Sequence, residues 1–220
     1  MDNSVKRKIL HFFFPNRCPV CGEVIYANDS FCAECISKLN YFDDDFSIEG
    51  AALFTAVYAY DKEITPAVML MKNGILGNSS YALGKALGEK LKENGTAVKI
   101  DLIIPVPMYK TDQRKRGYNQ AEYICREISR IISKPVRTGI IIKNRKTASQ
   151  KTLGKDERMT NLKGVFSVAD KQAVKGNSIL LADDVCTTGS TLAELTKILL
   201  DAGAKNVYCA ACCKTLKKNE

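Results

Sequence analysis

The spacing of apolar and polar positions divides the chain in two. Up to an acidic turn, FDDDF at 42–46, no period holds; beyond it, short apolar runs alternate with amphipathic stretches. AALFTAVYAY (51–60) predicts a strand. TPAVMLMKNG reads as a helix with Thr65 as N-cap, Pro66 at the first helical position and Gly74 as its stop. SSYALGKALGEKLKENG predicts an amphipathic helix ending at Gly95, and IDLIIPVP a buried strand. A basic loop, the helix NQAEYICREISRIIS and the strand TGIIIKN follow, then a polar stretch at 143–163 with little periodicity. GVFSV predicts a short strand, NSILLADDV a central one, STLAELTKILLDAG a helix and NVYCAACC a final strand. Apolar strands alternating with helices imply an α/β fold, a mostly parallel sheet flanked by helices on both faces. The expected division is a small module at 1–45 and an α/β domain at 46–220.

Composition adds little, but charge does. Of 220 residues 45% are apolar and 26% charged, ordinary for a globular protein, and no stretch approaches the ~18 apolar residues of a membrane span. Near the N-terminus Lys6, Arg7 and Lys8 precede an apolar patch that stops at Pro15, too short for a secretory signal, so the expected location is the cytoplasm. Net charge is +9, and its placement is uneven. From 110 to 163 there are fifteen Lys/Arg against five Asp/Glu, leaving 18 against 19 elsewhere. That segment is either a footprint for phosphates or a solvated basic surface.

Nine cysteines without an export signal argue against a disulfide set. Four form two CxxC pairs, Cys18 with Cys21 and Cys32 with Cys35, ten residues apart. Each CxxC turn places two thiolates on one side of a tight knuckle, with Gly22 relieving the first. Two knuckles meeting make the tetrahedral S4 shell that Zn²⁺ accepts, closed and therefore structural. A segment of about 40 residues needs such a staple because its own core is too small. A redox CxxC lacks its βαβ context here. Cys125, Cys186, Cys209, Cys212 and Cys213 show no ligand spacing, and VYCAACC reads as a buried strand using Cys as a small apolar residue. His11, the only histidine, lies among aromatic residues, which leaves histidine-dependent acid–base or triad chemistry without a catalyst.

The densest chemistry is ILLADDVCTTGSTL (179–192). In an open α/β sheet, ligands gather at the carboxyl ends of strands, where Asp183 and Asp184 fall. Thr187, Thr188, Gly189, Ser190 and Thr191 then form a turn at a helix N-terminus, where free N–H groups and the helix dipole favour an anion. Gly189 lets the backbone approach closely. Acids that repel phosphate, beside a cup that attracts it, suit a sugar phosphate: ribose hydroxyls on the acids, 5′-phosphate in the turn. No Walker A loop and no GxGxxG fingerprint is present. The plain alternative is a capped helix whose Thr and Ser satisfy only backbone donors.

ILLADDVCTTGSTL resembles the phosphoribosyl pyrophosphate (PRPP) motif of type I phosphoribosyltransferases. Together with the front CxxC pairs, IPVP (104–107), RKRGYNQ (114–120), KNRKTASQKTL (143–153) and ERMTNLKGVF (157–166), it is similar to the ComF family of phosphoribosyltransferase-like competence proteins. Tyr118 stands where that family usually has phenylalanine. The resemblance implies a type I phosphoribosyltransferase fold with an N-terminal zinc finger. It implies that Asp183 and Asp184 meet the ribose hydroxyls, that Val185, Cys186 and the turn 187–191 complete the PRPP site, and that Mg²⁺ bridges ribose and pyrophosphate. The 143–163 stretch corresponds to a loop that closes over pyrophosphate. Arg145 and Lys146 are the expected pyrophosphate contacts, with Arg116 contributing from the other loop. The family's association is uptake of transforming DNA, which implies single-stranded DNA and a helicase-like protein as partners. Tyr109 and Tyr118, near the basic cluster, are candidate stacking surfaces.

Overall fold

The structure, a computed structural model, describes residues 14–74, 77–146 and 164–216. Its strands are β1 (Leu53–Ala59), β2 (Leu102–Pro105), β3 (Ile141–Lys143), β4 (Phe166–Val168), β5 (Ser178–Cys186) and β6 (Asn206–Lys214). Its helices are α1 (Ala33–Lys38), α2 (Thr65–Lys72), α3 (Gly77–Glu93), α4 (Lys110–Arg116), α5 (Gln120–Ile132), α6 (Lys171–Val174) and α7 (Ser190–Asp201). Among the described residues no helix is long and apolar enough to cross a membrane.

The main sheet is four-stranded, in the order β1-β6-β5-β2, with every pairing parallel. Parallel strands need crossovers, and the helices that supply them cover both faces. Alternate residues of β5 show this. Leu180 and Ala182 join one buried cluster with Leu83 and Leu87 of α3 and Ile124 and Ile128 of α5. Ile179 and Leu181 join another with Leu192, Leu195 and Leu199 of α7. All of these side chains are essentially inaccessible, each worth about 1.5–3 kcal/mol for a fully buried leucine or isoleucine.

Helix α3 meets α5 closely because two glycines face it. A Cβ on Gly84 would lie 2.7 Å from Glu127 Cβ, and one on Gly88 2.9 Å from Ile131 Cβ. The front segment is not a separate body. Cys18, Ile25, Phe31, Cys35 and Leu39 belong to the same buried cluster as the sheet's Tyr58 and α3's Leu83. The edge of Phe31 stands on the Tyr58 ring at 6.1 Å, and Asn78 of α3 donates to the carbonyls of Arg17 and Ser30.

Several expectations shift. The residues after β2 form helix α4 rather than a loop, ended by Gly117 at φ 87°. Thr65 is the first residue of α2 rather than its N-cap, which is Ile64. Asp61 does the capping: its Oδ1 accepts from the amides of Glu63 (2.9 Å) and Ile64 (3.3 Å). The strand from TGIIIKN leaves the main sheet and pairs antiparallel with β4. The last strand, β6, lies inside the sheet between β1 and β5, which is why Cys209, Cys212 and Cys213 are buried.

Candidate functional sites

In the front module, Cys18 and Cys21 flank a true knuckle. The Cys18 amide donates to Glu23 O (2.7 Å), the Gly22 amide donates to Cys18 O (2.8 Å), and Gly22 turns at φ 81°. The second pair is arranged differently from expectation: Cys32 is the N-cap of α1, its sulfur accepting from the Cys35 amide at 3.4 Å, so Cys35 comes from the helix itself. The four Sγ atoms lie within 4.8 Å of one another, with Cys21 and Cys32 3.7 Å apart. Zn–S bonds of about 2.3 Å in a tetrahedron require sulfurs about 3.8 Å apart, so this shell fits the ion. Burial pushes the Cys18 thiol up, but amides of Cys21, Cys32 and Val20 aimed at its sulfur outweigh it and bring its pKa to about 7, ready to ligate. Among the described residues no other cluster of three such ligands converges. His11 lies outside the described residues.

The second centre lies at the carboxyl end of β5. The buried Asp184 carboxylate is held from three sides: Oδ1 accepts from the Val185 amide (2.8 Å), while Oδ2 meets Lys72 Nζ at 3.3 Å and accepts from Gln120 Nε2 at 3.4 Å. Gln120 Oε1 in turn accepts from Arg116 Nη1 at 2.6 Å. The last turn of α2, the last turn of α4 and the first of α5 therefore converge on one aspartate. Asp183 Oδ1 accepts from the Asp184 amide at 2.9 Å. Burial, reinforced by the Asp184 carboxylate, holds its carboxyl well above the usual range. Burial works against the Lys72 charge, but Asp184 prevails and holds the ammonium above its ordinary value.

After Cys186 the chain exposes Thr187 and Thr188, reverses at Gly189 (φ 83°) and enters α7 with Ser190 and Thr191. The capped-helix alternative fits poorly. Gly189 is the N-cap and has no side chain to cap with, and the Thr188 and Ser190 hydroxyls bond each other at 2.8 Å. The Ser190 amide reaches Thr188 Oγ1 only at 3.5 Å. The first turn of α7 thus keeps donors for an anion. Gly189 is required by its backbone and by what lies behind it: a Cβ there would sit 2.5 Å from Ile48 Cδ1 and 3.1 Å from Phe46 Cζ. Gly189→Ala is expected to cost about 2–4 kcal/mol in urea denaturation, from the left-handed φ and the overlap together. A variant of unchanged midpoint would show that the turn relaxes freely.

A cleft of about 660 Å³ opens beside the acids, lined by Lys72, Gly74, Asp112, Lys115, Arg116 and Gln120. Lys146, just past β3, reaches over to Asp112 at 3.3 Å on its rim. Arg145 is exposed beside it, and the polar stretch beyond, 147–163, lies outside the described residues. Tyr118 is half-buried and tied down. Its hydroxyl donates to Met71 O and accepts from the Gly74 amide, and Tyr123 packs edge-on against its ring. Tyr109 is half-buried. Sequence reasoning missed Lys72 and Gln120. The signal for Gln120 was its place at the end of RKRGYNQ, and for Lys72 a lone cation in the last turn before a helix stop.

Residues 115–220 match the phosphoribosyl transferase domain and residues 9–46 the double zinc ribbon domain. Competence protein F of Haemophilus influenzae is 39% identical over 108 residues, 49% of this chain and 47% of that protein. DNA utilization protein YhgH of Salmonella typhi is 34% identical over 206 residues, 90% of this chain and 84% of that one. The Escherichia coli K12 protein of the same name is 28% identical over 202 residues, with the same coverage. Among solved structures, the B. subtilis glutamine phosphoribosylpyrophosphate amidotransferase aligns with 62% of this chain and 27% of its own, at 20% identity and TM-score 0.43. Two domain matches in this order, with relatives aligned along nearly the whole length, lead to one assignment: the chain belongs to the ComF family, a phosphoribosyltransferase-type α/β domain with a four-cysteine zinc ribbon at its front.

Proposed function

We propose that this protein binds PRPP with Mg²⁺ and transfers its phosphoribosyl group to an acceptor, in the handling of DNA taken up by the cell. The observation that carries this reading is the acid pair at the end of β5, Asp183 half-buried and Asp184 buried, running directly into an uncapped helix N-terminus. Asp183 and Asp184 accept hydrogen bonds from the ribose hydroxyls. The amides and hydroxyls of Thr187, Thr188, Gly189, Ser190 and Thr191 hold the 5′-phosphate. Carboxylate oxygens beside a pyrophosphate are the donor set that Mg²⁺ favours, and when bound it would neutralise charge on the leaving group.

In the transfer, the C1–O bond breaks with its electron pair leaving on pyrophosphate, while an acceptor lone pair forms the new bond at C1. Lys72, on the cleft wall, exchanges its Asp184 partner for a pyrophosphate oxygen. Arg116, Arg145 and Lys146 add positive charge around the departing group, a stabilisation realised mainly as charge develops. Calorimetry with PRPP and Mg²⁺ tests the binding, and pyrophosphate release in the presence of candidate acceptors tests the transfer. A folded wild-type protein that ignores PRPP would end the proposal.

One observation favours a second role, a competence accessory that binds single-stranded DNA with PRPP as ligand or regulator. Lys110, Arg114 and Lys115 stand exposed on α4, more cation than a pyrophosphate requires. Relatives are named for competence and DNA utilization, which supports this second reading, and in it the protein partner is helicase-like. Filter binding to single-stranded oligonucleotides should weaken with salt at a log–log slope of about −0.7 per phosphate neutralised. Arg114→Ala/Lys115→Ala, which spares Arg116, should flatten that slope by about 1.4 if both residues pair with phosphates. An unchanged slope moves the nucleic acid off this helix.

A further inference from the structure

Lys214 is the last residue of β6 and is only 4% exposed. Its strand lies next to β5, with Lys214 paired in register to Cys186, the residue before the turn 187–191. The ammonium donates to Thr187 O at 2.8 Å and to Thr215 O at 2.7 Å, and sits 4.1 Å from the centre of the Phe46 ring. Phe46 also backs Gly189, so the same aromatic residue supports the turn and covers the lysine. A desolvated ammonium is expensive to bury, and carbonyl dipoles with an aromatic face offset part of that cost. Its position is specific: beneath the turn that follows the two acids.

We propose that Lys214 is a positioning residue for the 5′-phosphate cup. Its bond to the Thr187 carbonyl turns that oxygen inward, away from the cup. The backbone N–H groups of the turn then face outward, toward an anion. Its charge, shielded from water, adds a positive potential behind the cup that surface lysines, screened by salt, do not provide. The inference rests on the sugar-phosphate reading of this turn, and it extends that reading to a residue with no place in the acid-and-turn motif.

The test compares ribose 5-phosphate with inorganic pyrophosphate by calorimetry, in wild type, Lys214→Met, Lys214→Gln and Lys214→Arg. Ribose 5-phosphate should bind about tenfold more weakly to Lys214→Met, about 1.4 kcal/mol. Pyrophosphate, taken by the cleft that Lys72, Lys115 and Arg116 line and the turn 187–191 does not, should change less than about twofold, a selectivity that general loosening of the fold would not give. Lys214→Arg should restore ribose 5-phosphate binding to near wild type. Should the methionine variant fail to fold, Lys214→Gln, which keeps a donor without the charge, carries the comparison and should also weaken ribose 5-phosphate selectively. Wild type that binds ribose 5-phosphate, with both neutral variants matching it, overturns the role of Lys214. Wild type that binds no ribose 5-phosphate overturns the sugar-phosphate reading and, with it, this extension.

Discussion

Purified protein is expected to carry about one zinc per chain, and a Cys18→Ser/Cys32→Ser variant to carry none and lose much of its stability. The size of the effect follows from where the metal sits. Structural zinc contributes about 10–16 kcal/mol in zinc-finger peptides, comparable with or larger than the ~5–15 kcal/mol stability of a whole domain. The ribbon shares its buried cluster with β1 and α3, so loss of the metal exposes Ile25, Phe31 and the face of Tyr58 together. Unfolding should therefore spread beyond the ribbon, and strong chelators should lower the melting temperature by at least about 10 °C. Full zinc content in the double variant would overturn the ligand assignment. An apoprotein as stable as the holoprotein would overturn the coupling.

The acid pair carries the second large effect. Asp183→Asn/Asp184→Asn should weaken PRPP binding in the presence of Mg²⁺ by about 100-fold or more, the value of two lost charge-assisted contacts. Stability should move the other way for Asp183→Asn alone. Because Asp183 in the folded protein holds its proton to a pH well above that of an unfolded aspartate, the folded state binds more protons over that interval. Wild-type stability then falls as pH rises from about 4 and levels off once the folded value is passed. Asparagine removes that loss and keeps an oxygen for the Asp184 amide. At pH 7 the single variant should be more stable than wild type while binding PRPP less well, a trade common at functional sites. Equal affinity in the folded double variant would remove the acids from the site, and a destabilised single variant would remove the charge penalty.

The paired CxxC spacing and the strand–acid–turn–helix pattern were readable because each packs its chemistry into fewer than twenty consecutive residues. The parallel sheet was readable too, since strands buried on both faces leave unbroken apolar runs such as ILLA. Helix α4 was not, because its seven residues, KTDQRKR, bury nothing and so carry no apolar stripe. The departure of β3 from the main sheet was equally hidden: three isoleucines in a row suit either sheet. The link from Arg116 through Gln120 to Asp184 spans more than sixty positions in the chain and exists only once α5 is docked on β5. Spacing exposes local chemistry, whereas convergence of distant elements belongs to packing.

Strand order also governs when the molecule can assemble during synthesis. The ribbon's four thiols, Cys18 to Cys35, are made before every strand of the sheet and can take up metal ahead of them. In the sheet, β1 has β6 as its neighbour, and β6 is made after the other three described strands of that sheet. At roughly 5–20 residues per second, about 8–30 s separate the two, during which β1 has an apolar face and no sheet to join. The metal-loaded ribbon, packed against Tyr58, gives that waiting strand its earliest cover, so zinc supply during translation bears on how much chain aggregates before the sheet closes.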